Sequence, residues 1–170
     1  NTSVGSYSLS ANTTADNNTA LGYNALGTNT TGAANVAVGA NALDANTDGD
    51  QNTAVGESSL SANTSGRENV AVGHDALKVN TTGDYNVALG SFTLTANTTA
   101  DNNVAIGFNA LGANTTGTQN VAVGKNALDA VTTNGNNTAL GYNALTEHTG
   151  TQCVAVGSEA LDANTTGNNN

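Results

Sequence analysis

A chain of 170 residues has the length of one ordinary domain. With no Pro, Met or Trp, 4% aromatics and an apolar 37% that leans heavily on Ala, it lacks the large side chains of an ordinary core. A formal charge of −10, against three basic residues (Arg67, Lys78 and Lys125), leaves no phosphate-tracking stripe and argues against nucleic acid as a partner. The apolar runs are too short to span a bilayer, so no membrane insertion is expected of this segment.

The organising feature is a repeat. Asn-(Thr/Val)-Ala-(Val/Leu/Ile)-Gly, a Leu four residues after that Gly, and Asn-Thr-Thr-Gly recur in nearly every unit. The motif Gly stands at 5, 22, 39, 56, 73, 90, 107, 124, 141 and 157, a period of seventeen with one final step of sixteen. A fixed short period means stacked units, each of which buries its apolar face only against its neighbours. An active site is a singular constellation, so this lattice is expected to be non-enzymatic and to need no cofactor.

Each unit can be read in order. In Asn35-Val36-Ala37-Val38-Gly39 the β-branched residues alternate with small ones, which predicts a strand. The following Gly-x-x-Ala-Leu-x-Ala segment reads as a second short strand. Asn29-Thr30-Thr31-Gly32 reads as the closing turn, with Gly available for positive φ. The fold class is therefore all-β, a parallel β-solenoid of ten coils over residues 1–170. At about 4.7–4.9 Å per rung it makes a rod about 45–50 Å long.

Stacking turns coil positions into columns. The motif Asn column (Asn35, Asn52, Asn69 and Asn86 among others) should form a carboxamide ladder. The Leu column (Leu43, Leu60, Leu77, Leu94, Leu111 and Leu128 among others) should form an interior spine. A second Asn column lies in the turn and is interrupted by Val131 and His148. Cys153 replaces the motif Asn and, being alone, forms no intrachain disulfide; it reads as a small buried side chain. Residues 91–103 echo residues 6–18 at an offset of five coils, so five-coil blocks 1–85 and 86–170 are one possible organisation. Both chain ends coincide with the repeat frame, which reads as a segment of a longer fibre.

Strand parity stays open. If the flanking residues point outward, Val36, Val38, Val55, Val70, Val72, Val87, Leu89, Val104, Ile106, Val121, Val123, Val154 and Val156 make an apolar face that needs a partner. If they point inward, the outer row is Asn, Ala and Gly, flat enough for another backbone to approach. Either parity favours self-association.

Asn-Val-Ala-Val-Gly-x-Asn-Ala-Leu, as in Asn35–Leu43 and Asn120–Leu128, resembles the head repeats of trimeric autotransporter adhesins and the similar repeats of phage tail fibres. The resemblance covers all ten units. It implies a left-handed β-roll assembled as a homotrimer, displayed outside the cell or on a virion as a rigid shaft or adhesive head, with a host-surface protein or glycan as partner. The coil departs from the adhesin pattern, whose repeats are usually nearer fourteen residues; the longer Asn-Thr-Thr-Gly turn accounts for the difference.

Several features carry weaker chemistry. Tyr23, His74, Phe108 and Tyr142 each follow a motif Gly and are candidate ligand contacts, with Tyr7 and Phe92 one position later. Ala40, Glu57, Ser91, Lys125 and Ser158 intervene, so no continuous platform is expected. His74-Asp75 is an isolated His–carboxylate pair at variable surface positions. Residues 46–52 faintly resemble a calcium loop but lack its Gly and closing Glu, so any calcium there would be adventitious. Asn12, Asn29, Asn63, Asn80, Asn97, Asn114 and Asn164 head glycosylation sequons that coincide with the turns. An unbroken Thr column from Thr13 to Thr165 keeps an ice-binding solenoid as the alternative function.

Overall fold

The computed structural model describes all 170 residues. Ten three-residue strands, β1 (Thr2–Val4), β2 (Thr19–Leu21), β3 (Val36–Val38), β4 (Thr53–Val55), β5 (Val70–Val72), β6 (Val87–Leu89), β7 (Val104–Ile106), β8 (Val121–Val123), β9 (Thr138–Leu140) and β10 (Val154–Val156), form one parallel sheet in sequence order. Register follows the repeat, with Val36 opposite Thr53, Ala37 opposite Ala54 and Val38 opposite Val55. The short final step leaves it undisturbed: Val154 pairs with Thr138. There is no helix, and the molecule is a β-solenoid with one strand per coil.

Strand parity is now decided. The central Ala is buried in β2–β10, while the residues on either side are half-buried or exposed. The interior explains why. Its apolar cluster consists of Ala and Leu, with Val131 and Cys153 as the only other types. Asn columns are packed among them: Asn35, Asn52, Asn69 and Asn86 are fully buried, as are Asn29, Asn46, Asn63 and Asn80. A Leu and two carboxamides per coil fill the cross-section, and only a methyl fits beneath the strand.

The second predicted strand is not one. Leu26 and its equivalents are left-handed, φ 47–55°, and so are the residues two positions earlier, φ 52–61°. A non-Gly residue there costs roughly 1–2 kcal/mol, which burial offsets in the inner coils, where Leu26 through Leu145 have no solvent exposure. The segment is still laddered, Leu43 N–H donating to Ser59 O at 3.0 Å and Asn41 N–H to Tyr23 O at 2.9 Å. Of 104 backbone–backbone hydrogen bonds only 18 lie within strands, so the bends, turns and strand flanks together contribute most of the backbone stitching.

The turn assignment needs a second correction. Gly32 and its equivalents do not have positive φ; the residue before the motif Asn does (Ala34, 58°; Gln51, 60°), as does every motif Gly at 121–144°. The turn Gly is used for closeness instead. Its carbonyl accepts two interior carboxamides, Gly32 O receiving Asn18 Nδ2 and Asn29 Nδ2, both at 2.9 Å. Where Ala100 replaces it, the bond from Asn97 lengthens to 3.2 Å.

Candidate functional site

Two surfaces stand out, and both are built by the same rungs. The first is the outer face of the sheet. Each strand contributes two outward side chains, and the second column, Val4, Leu21, Val38, Val55, Val72, Leu89, Ile106, Val123, Leu140 and Val156, is aliphatic in every coil. The first column mixes Val with Thr2, Thr19, Thr53 and Thr138. All thirteen residues expected to mediate self-association lie on this face. Val72, Ile106, Val121, Val154 and Val156 are exposed; the other eight are half-buried by their own neighbours. The face is about 45 Å long and two side chains wide, roughly 400 Å², within the range of the largest apolar patches on soluble monomers, about 300–600 Å².

The second surface begins past the bend at the motif Gly. The aromatics are interrupted at Ala40, Glu57 and Lys125 but not at Ser91, where Phe92 fills the gap, so a row of three rings, Lys125 and Tyr142 runs from His74 to Tyr142. The Phe92 ring lies between its neighbours, 5.2 Å from His74 and 5.7 Å from Phe108 between centroids, edge to face in both cases. Lys125 Nζ then bridges Phe108 and Tyr142 at 5.9 and 6.0 Å from the ring centres, at the outer limit of cation–π attraction. Tyr23 is not part of this row; it pairs with Tyr7 at 5.8 Å at the other end. Phe92 escapes a column-by-column reading because it sits one position late. Beside the small Ser91, its ring packs edge to face against those of the coils on either side. Backbone ladders fix the row, Phe92 N–H donating to His74 O and Asn126 N–H to Phe108 O, both at 3.0 Å.

The remaining candidates have structural employment. His74 Nδ1 is 3.9 Å from Asp75 Oδ2, and that oxygen also accepts Lys78 Nζ at 3.1 Å. Asn46 is interior, while Asp50 Oδ1 accepts the Ala33 N–H at 2.8 Å and Asp50 Oδ2 lies 3.9 Å from Arg67. No group of three His, Cys, Asp or Glu side chains converges as a metal site. The sequon carboxamides of Asn29, Asn63, Asn80, Asn97 and Asn114 are fully buried, which leaves no room for a glycan on them in the folded rod. The Thr column is tied along the axis, Thr30, Thr47, Thr64 and Thr81 donating their hydroxyls to the next coil's carbonyl at 3.0–3.1 Å.

The interior columns form two different ladders. In the turn column carboxamides bond to each other, Asn46 Nδ2 to Asn29 Oδ1 at 2.7 Å and Asn97 Nδ2 to Asn80 Oδ1 at 2.9 Å. In the motif column the Oδ1 accepts the next coil's backbone N–H, Asn35 N to Asn18 Oδ1 at 2.9 Å, and Nδ2 reaches the turn carbonyl. Cys153 keeps part of this pattern, Sγ donating to Gly167 O at 3.0 Å. Two carboxyls feel the interior: burial raises Asp44 above its ordinary value, and burial, opposed by the Asn109 hydrogen bond and reinforced by Glu147, raises Asp129.

Comparison with family models, curated proteins and solved structures returns no match to this chain.

Proposed function

We propose that this chain is a rigid, self-associating solenoid shaft of an extracellular or virion-surface fibre, with side chains beyond each motif Gly free for attachment. One observation carries the reading: the outer strand face is aliphatic at one column in all ten coils and has no covering element within the chain. A flat apolar face of constant register is matched most simply by a copy of itself, because the partner then repeats with the same rung spacing. The resemblance to adhesin-head and tail-fibre repeats favours three chains around one axis. Rigidity follows from ladders that cross every coil boundary through the sheet, the bent segment and the interior. The ice-binding alternative draws less support, since the Thr hydroxyls spend their protons along the axis.

Light scattering on the isolated chain tests the proposal. The expected mass is three chains, falling to one in Val72→Asp and Val123→Asp with unchanged circular dichroism. A monodisperse monomer for the parent chain, or an oligomer that survives both substitutions, overturns it.

A further inference from the structure

The aromatic row has a second periodicity that self-association does not use. His74, Phe108 and Tyr142 occupy the same coil position two coils apart, with Phe92 and Lys125 in the coils between. We propose that this row is a binding track for a neutral, linear polysaccharide lying along the rod axis. The proposal rests on the fibre reading only in taking the rod as surface-displayed.

At one rung per coil, the rings of like position recur about every 9–10 Å. The rings alternate in attitude, Phe92 standing 73° from His74 and 76° from Phe108. A linear glycan whose successive sugars turn over, as β-1,4-linked chains do, offers a matching C–H-rich face at every second residue. Ring faces carry negative charge density and are complementary to such C–H groups. Phe108 and Tyr142 are about half exposed, 49% and 46%. Hydroxyl partners lie beside them: Asn109, Asn126 and Asn143 hold the next coil position and are half-buried. Asn126 Nδ2 donates to Asn143 Oδ1 at 3.2 Å, which uses only part of what two carboxamides can donate and accept.

Other partners fit less well. His74 and Lys125 are the row's only groups able to carry positive charge, on a chain of formal charge −10, which disfavours polyanions. The row is one side chain wide and four rungs long, about 19 Å. A protein partner would have to contact a strip of that width alone, with no apolar flank to broaden the contact. An extended polymer one sugar wide suits the shape.

Native electrophoresis of the full chain, in gels cast with a soluble β-1,4-glucan, a soluble β-1,4-mannan or dextran sulfate, tests this. A neutral β-1,4 polymer should retard the chain, and Phe108→Ala and Tyr142→Ala should each weaken that retardation about tenfold, a loss of about 1.4 kcal/mol. Tyr7→Ala, outside the row, should leave it unchanged. Circular dichroism confirms that each variant folds. No retardation by either neutral polymer, equal retardation of the Phe108 and Tyr142 variants, or retardation by dextran sulfate alone overturns the proposal. So does a fall in solution mass in Phe108→Ala, which would make the row a protein contact. The fibre reading fails separately, by the mass of the parent chain.

Discussion

The turn ladder is broken in two consecutive coils, and mending it should stabilise the rod cooperatively. Asn114 Oδ1 has no partner because Val131 stands where the next donor would be. His148 holds the following position; its Nδ1 faces Asn164 O at 3.1 Å, and its buried Nε2 has no partner. Asn164 Nδ2 is then also left without an acceptor. In Val131→Asn the new Nδ2 meets Asn114 Oδ1, recovering roughly 1–3 kcal/mol for one orphaned group. Lost Val burial, roughly 1.5–2 kcal/mol, offsets most of this. His148→Asn alone supplies an acceptor for Asn164 Nδ2 but aims its own Nδ2 at Val131. The double variant makes both of those bonds, adds a third between the two new carboxamides, and runs the ladder unbroken from Asn12 to Asn164. We therefore expect single variants within about 1 kcal/mol of the parent and a favourable coupling of about 1–2 kcal/mol. At this length that is about 2–4 °C in Tm per kcal/mol. Thermal and urea melts of the four chains, followed by circular dichroism, measure the cycle. A double variant no more stable than the sum of the singles would show that the carboxamides do not act as one column here.

Other consequences follow from the same geometry. Asp44 and Asp129 have carboxyls raised above the ordinary value of 3.8, so the fold binds their protons more tightly than the unfolded chain does. Stability should rise as pH falls from neutral through the raised values, then level off near the unfolded value. Asp44→Asn and Asp129→Asn should each stabilise at neutral pH, by less than about 1 kcal/mol given their partial exposure, and flatten that profile in urea melts. Gly73→Ala combines a backbone at φ 134° with a methyl 2.6 Å from the Gly90 carbonyl carbon. It should cost about 3 kcal/mol or more and raise amide exchange in the adjoining coils; parent-like exchange would count against the rigid stacking. Ala88→Val should cost about 1–3 kcal/mol by overpacking, whereas Val87→Thr should stay within about 1 kcal/mol, since Thr19, Thr53 and Thr138 already occupy that column. Comparing their melting midpoints tests the assigned parity directly.

The sequence by itself determined whatever depends on translation by one coil. Seventeen-residue spacing makes every residue the neighbour of its own copy, so the parallel register, the Leu spine, both Asn columns and the faults at Val131 and His148 follow from alignment alone. It could not determine what depends on the path of the chain within a coil. Val-Ala-Val alternates equally well in either sense; only the filled interior, a Leu and two carboxamides per coil, leaves methyl-sized space and turns the Val residues outward. The second segment has the composition of a strand, yet left-handed residues such as Asn24 and Leu26 bend it, a choice made by burial of the Leu against its neighbours. Phe92 joins the aromatic row by side-chain placement: spacing assigns it to the neighbouring column, but its ring packs 5.2 Å from His74 and 5.7 Å from Phe108, a contact that alignment by coils does not carry.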